Sequence, residues 1–228
     1  MIYNLGLNLE EEQEISKWCN TELRWENQTL TILGKDRPHM AIPKTYAWKP
    51  LAIKETIDLY GYTLWLDAGN TVTGQLTRPL NYLYDDNFFF VQGQDVDMTL
   101  KTYKKMYEYF NVDKENFIKK PSFAGAVMGM TNNTFVYNNI LLPWYYCAMN
   151  VECIAPIGSS IKSHRYDQSA LSIILYKNIL AGLMTVTPHT ELLAANAEQL
   201  NKCERESYMV FWTSRKQNKC YSKYAVCK

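Results

Sequence analysis

An α/β fold is what this sequence predicts, and three observations lead there. Short apolar runs bounded by glycine or polar turns, Tyr62-Thr63-Leu64-Trp65-Leu66 between Gly61 and Gly69-Asn70, and Phe88-Phe89-Phe90-Val91 before Gln92-Gly93, have the length and composition of buried strands. Helical stretches alternate with them, at 46–60, 99–110 and 167–178. Finally, 228 residues, 47% hydrophobic and 21% charged, can bury one good core. A single domain over 1–228 is therefore expected, with 201–228 a Cys-, Lys- and Tyr-rich C-terminal extension.

Taken in order, Ile2-Tyr3-Asn4-Leu5 ends a strand, and Asn8 caps a helix over 9–19 whose Glu10, Glu11 and Glu12 suit the positive end of the helix dipole. Residues 21–25 and 29–33 are short strands. A chain opening in mid-sheet means that the sheet begins here or that a piece lies upstream. Residues 36–44, with Pro38 and Pro43, form a loop. A helix then starts at Tyr46-Ala47-Trp48-Lys49-Pro50, where proline is tolerated because a first-turn N–H has no partner anyway. Trp48, Leu51, Ile53, Ile57 and Tyr60 spread around it, leaving Lys49, Lys54, Glu55 and Asp58 for the polar surface.

Residues 62–66 follow as a strand of a parallel sheet, with Asp67 at its carboxyl end. A short strand at 71–73, a helix at 79–85 and the strand at 88–91 come next. Over 99–110, Leu100, Tyr103, Met106, Tyr107 and Phe110 make a core-facing helical stripe. The strand at 121–130 contains Gly125, Gly129 and two alanines, and small residues there imply a close approach to the backbone. Residues 133–149 form an aromatic-rich helix that Pro143 kinks. After it come a strand at 152–155, a polar loop at 158–165 and a helix at 167–178. Strands at 183–187 and 209–212, separated by a helix over 190–200, complete the chain.

Composition excludes several functions. A net charge of +1 offers no electrostatic case for nucleic acid or an anionic membrane. No segment reaches the roughly 18 unbroken apolar residues of a membrane span, and the first residues carry no secretion address. Cys19, Cys147, Cys153, Cys203, Cys220 and Cys227 form neither a zinc pattern nor a thioredoxin-like pair, and spacing does not define their pairing. The sequons Asn27-Gln28-Thr29 and Asn132-Asn133-Thr134 lean toward an oxidising, secretory setting. Walker, His-Glu-x-x-His, Gly-x-Ser-x-Gly and Gly-x-Gly-x-x-Gly patterns do not occur.

Four signals carry chemistry. Asp67 either caps a turn with Gly69 and Asn70 or, at a strand end, meets a ligand or metal. Asp95-Val96-Asp97 is either a pair sharing a cation or a solvated loop. Ser163-His164-Arg165-Tyr166-Asp167-Gln168-Ser169 crowds polar groups at a helix start; Arg165 suits a phosphate, and Asp167 either caps the helix or takes a proton from a hydroxyl. His189 is a structural histidine or a late metal ligand.

The succession Tyr46-Ala47-Trp48-Lys49-Pro50, Leu64-Trp65-Leu66-Asp67-Ala68-Gly69-Asn70, Phe123-Ala124-Gly125-Ala126-Val127-Met128 and His164-Arg165-Tyr166-Asp167-Gln168-Ser169-Ala170-Leu171 resembles nucleotide-diphospho-sugar transferases of the GT-A fold. It is similar in particular to a eukaryotic group of largely uncharacterised glycosyltransferase-like domains, over most of residues 2–178. This resemblance implies a Rossmann-like mixed, mostly parallel sheet flanked by helices, lacking the usual first strand and helix. It implies transfer of a sugar from a UDP- or GDP-sugar to a glycan or protein hydroxyl, in the Golgi or ER lumen, with any membrane anchor upstream. Asp167 and Gln168 would be catalytic, and Trp48, Lys49, Gly125, His164 and Arg165 would bind substrate, with Lys49 and Arg165 beside the phosphates. Manganese or magnesium would sit on Asp67 and His189, with Asn70, Asp95 and Asp97 as weaker ligands. Gly69 stands where the family's metal motif has its second carboxylate. The alternatives are a catalytically inactive sugar-nucleotide or glycan-binding domain, and a fragment of a longer transferase.

Overall fold

The computed structural model describes residues 2–3, 23–24, 34–72, 74–186, 189, 192–194 and 210–213. The helix expected at 9–19, the strand at 29–33, the first sequon and Cys19, Cys203, Cys220 and Cys227 lie outside them, as does all of the C-terminal extension except 210–213. Strands β1 (Ile2–Tyr3) and β2 (Leu23–Arg24) pair in parallel. Two 3-10 turns, Pro38–Ala41 and Pro43–Thr45, lead into helix α1 (Trp48–Tyr60), which Gly61 ends in the left-handed conformation with its N–H on the Ile57 carbonyl. Then follow β3 (Tyr62–Leu66), β4 (Asn70–Val72), α2 (Thr77–Asp86) and β5 (Phe88–Gln92). The second half holds α3 (Lys104–Tyr109), β6 (Phe123–Thr131), α4 (Leu142–Met149), α5 (Val151–Ile154), α6 (Tyr166–Leu180), β7 (Leu193–Ala194) and β8 (Phe211–Thr213).

The fold is mixed α/β, as the sequence predicts, but the central sheet is antiparallel. Its order is β3-β6-β5, with Trp65 opposite Met128 and Phe90 opposite Met128 from the other side. The run at 62–66 is thus not a parallel strand, and among the described residues it forms a sheet edge. Its continuous hydrophobicity has another cause. Trp65 belongs to the main core, while Leu64 and Leu66 pack on a second cluster with Leu83, Phe89 and Val127, so both sheet faces are covered. Among the described residues, parallel pairing is confined to β1 with β2 and β7 with β8. Strand β8 also pairs antiparallel with β4.

Gly129 fulfils the expectation of close approach. A Cβ there would collide with the Phe89 ring and stand 2.8 Å from Leu83 Cδ2.

Five other elements differ from their sequence pattern. The stretch 99–110 divides into a 3-10 turn, Met98–Lys101, and α3, because the Asp97 carboxylate accepts from both N–H and hydroxyl of Thr99 and tightens the first turn. Leu100 consequently faces solvent at 70% exposure. In the helical stretch before Met149, a π-helical turn, Tyr137–Leu141, runs directly into α4 just before Pro143, which has no N–H for the Asn139 carbonyl; that carbonyl accepts from Asn178 Nδ2 instead. Residues 152–155 are not a strand: Asn150 caps α5 by accepting from Glu152 N–H, and a fully buried Cys147–Cys153 disulfide ties α5 to α4. Residues 183–186 form no strand after the left-handed Gly182, and within the helix expected at 190–200 the described part is β7.

Candidate functional site

The four segments that carry the resemblance meet at one side chain, Lys49. Its ammonium donates to the Gly125 carbonyl at 2.8 Å and pairs with Asp167 Oδ2 at 2.9 Å and Asp67 Oδ1 at 3.0 Å. Three N–H donors thereby meet three oxygens. Lys49 is 2% exposed, which corrects its assignment to the polar surface of α1, and its donors are not directed at a phosphate. Burial alone would lower its pKa, but Asp167 and Asp67 outweigh burial, raise the pKa and keep the group charged. Asp167 is buried at the start of α6, and burial, reinforced by Asp67, pushes its pKa up despite Lys49. It does not cap the helix, since no side chain caps α6.

Gly125 is where the strand must be bare, for a Cβ would come within 2.8 Å of Asp167 Oδ2. Asp67 lies just beyond β3, its N–H on Ala126 O and its Oδ1 also accepting from Trp65 Nε1 at 2.9 Å. Asn70 is committed to the turn: its amide donates to Asp67 O and Ala126 O, and its Oδ1 accepts from the Thr213 hydroxyl. The turn reading of Asp67 holds, through its backbone carbonyl, which accepts from the Asn70 N–H and amide, while its carboxylate faces the Lys49 ammonium.

Aromatic rings surround this centre. The Tyr46 and Trp65 rings lie 5.4 and 5.9 Å from Lys49 Nζ, Trp48 is 6.0 Å from Trp65, and Tyr166 is 6.5 Å from Tyr46. Tyr46 and Tyr166 both adopt left-handed backbone, φ 55° and 44°, a costly state for such side chains. Trp144, wholly buried, donates its indole N–H to the Asp167 carbonyl at 2.9 Å. Sequence pattern gave no site role to Tyr46, Trp65 or Trp144 and counted Tyr166 only among the polar groups at the start of α6.

A second polar group adjoins the first. Arg165 Nε stands 3.4 Å from Asp95 Oδ2, and the Gln94 amide, turned so that its oxygen faces the guanidinium, accepts from Nη2 at 2.6 Å. Gln168 Nε2 donates to Ser122 Oγ at 2.9 Å, against Gly93. Asp95 therefore pairs with Arg165 whereas Asp97 caps a turn, so the two carboxylates do not converge on one cation.

His164 departs most from expectation, being structural. Its Nδ1 accepts from Tyr103 N–H and its Nε2 donates to Ile154 O, with no exposed surface. Burial lowers its pKa to about 4, the bond to Ile154 opposing only in part; the Tyr166 ring meets it edge-on, centroids 5.1 Å apart. Below its ordinary value the unfolded imidazole gains a proton that the folded one refuses. Stability should accordingly fall by about 3 kcal/mol as pH drops from about 6.5 to about 4. Denaturant unfolding across that window measures the slope, and His164→Gln, which retains a donor for Ile154, should flatten it.

His189 stacks on Tyr82 at 4.0 Å, and its backbone N–H donates to Phe90 O. Among the described residues, no group of three or more His, Cys, Asp or Glu is arranged to hold a metal ion. Of the donors expected for manganese or magnesium, Asp67 Oδ1 accepts from Lys49 and Trp65, and the Asn70 amide is consumed in its turn. No helix of the described residues is long and apolar enough to cross a membrane. No protein-family model matches this chain, and no curated protein matches it.

Proposed function

We propose that this chain is a glycosyltransferase domain that moves a sugar from a nucleotide-diphosphate sugar to a hydroxyl acceptor, with its centre at Lys49, Asp67 and Asp167. One observation carries the proposal: residues 46–50, 64–70, 123–128 and 164–171, far apart in sequence, converge on the Lys49 ammonium. A sugar presents hydroxyls for carboxylates and C–H faces for rings. Carboxylates flanked by Tyr46, Trp48, Trp65 and Tyr166 offer both. Two carboxylates and one ammonium leave a net negative charge, which suits the neutral sugar better than the diphosphate. In this proposal Asp167, whose raised pKa suits proton transfer, receives or orients the acceptor hydroxyl, Gln168 is held by Ser122 beside it, and Arg165 is the cation for the phosphates. The Cys147–Cys153 disulfide favours an oxidising compartment, as in the secretory lumen.

A second proposal, a non-catalytic sugar-nucleotide or glycan-binding domain, draws support from Lys49 itself, which ties up one oxygen of each carboxylate. Calorimetric titration with UDP- and GDP-sugars, paired with an assay of nucleoside diphosphate release, separates the two. Transfer predicts binding and release, and Asp167→Asn should cut release by about 100-fold or more while leaving binding measurable. Binding without release selects the binding module. Absence of binding to every nucleotide sugar defeats both.

A further inference from the structure

We infer that the Lys49 ammonium is the resident cation of this centre, fixed in the position a divalent metal would need between Asp67, Asp167 and the Gly125 carbonyl. The three oxygens stand 2.8 to 3.0 Å from Nζ, and the ammonium has one N–H for each. An ion coordinating Asp67 Oδ1 and Asp167 Oδ2 together, at about 2.1 Å from each for magnesium, would occupy the volume that Nζ fills. Two positive charges do not share that space, and the lysine has little room to leave. Its side chain is 3% accessible, enclosed by the Tyr46 and Trp65 rings, and it emerges from the first turn of a thirteen-residue helix. Asp167 Oδ2 is buried and has the ammonium as its only polar contact among the described residues. The centre is consequently a three-oxygen cation site with its cation supplied by the chain. Deleting the ammonium without filling its volume should expose a latent divalent site.

The inference rests on this geometry alone and stands apart from the glycosyltransferase proposal. Manganese, with no nucleotide sugar present, is the probe, and its free concentration is read by electron paramagnetic resonance with wild type, Asp67→Asn and Lys49→Ala. Wild type and Asp67→Asn should take up manganese equally weakly, whereas Lys49→Ala should bind it at least about tenfold more tightly than wild type, equivalent to about 1.4 kcal/mol. The gained binding should vanish when Asp67→Asn is added. Manganese binding by wild type that Asp67→Asn abolishes overturns the inference, as does a folded Lys49→Ala protein with no gain. Should Lys49→Ala fail to fold, the comparison of wild type with Asp67→Asn decides alone.

Discussion

Replacing Lys49 by Met destabilises the folded chain by about 3–5 kcal/mol, the usual consequence of removing one partner from a buried ion pair. Methionine fills most of the volume but leaves Asp167, with a side chain only 5% accessible, facing Asp67 with no positive charge between them. Loss of favourable packing is the smaller part of this effect; orphaned charge is the larger. A double variant, Lys49→Met with Asp167→Asn, should therefore regain much of the loss, which distinguishes charge from shape. Asp67→Asn alone should cost less than Asp167→Asn alone, since the Asp67 side chain is 22% accessible and water replaces part of the ammonium's contribution. Chemical denaturation of the four variants measures all of this. A Lys49→Met cost under about 1 kcal/mol would mean that the ammonium is not buried as described.

Trp144→Ala should be of similar size, about 3–5 kcal/mol. This is the largest fully buried side chain of the described residues, in the core with Leu141, Cys147, Ala170 and Leu171. Its removal leaves a cavity and strips the Asp167 carbonyl of its indole donor. Trp144→Phe keeps most of the volume and loses the hydrogen bond, so a cost of about 1–2 kcal/mol is expected. Thermal unfolding gives both values. The comparison also tests whether α4 positions Asp167: if so, Trp144→Phe should weaken the proposed nucleotide-sugar turnover beyond its effect on stability.

Local pattern revealed what was local. Asp67 was legible because an apolar run stopped on a carboxylate beside glycine, and α6 because its apolar residues and polar start agree. Strand direction was not, because a run covered on both faces reads alike in parallel and antiparallel sheets. Lys49 was placed by helical periodicity on a polar face, since nothing near residue 49 shows that carboxylates from positions 67 and 167 will meet it. The pattern at 152–155 suited a strand, and the Asn150 cap with the Cys147–Cys153 bridge made it a helix. Leu100 satisfied the helical stripe but lost it once Asp97 drew Thr99 into a tight turn. In each case the deciding partner was a cap or a residue distant in sequence. Of the candidate residues, Lys49, Asp67, Gly125 and Asp167 meet at one centre, whereas His164 is held between backbone groups, Asp97 caps a turn and His189 stacks on Tyr82; the aromatic ring wall was unseen.

Among the described residues, three tryptophans stand at this centre: Trp65 donates to Asp67, Trp144 donates to the Asp167 carbonyl, and the Trp48 ring lies 6.0 Å from that of Trp65. Indole emission depends on the field and hydrogen bonding around the ring, so intrinsic fluorescence carries a signal from the centre without any label. Trp48 and Trp65 are close enough to exchange excitation energy, which couples an occupant's effect on either ring to the other. The chain thus contains its own optical probe for whatever binds against the rings of this centre.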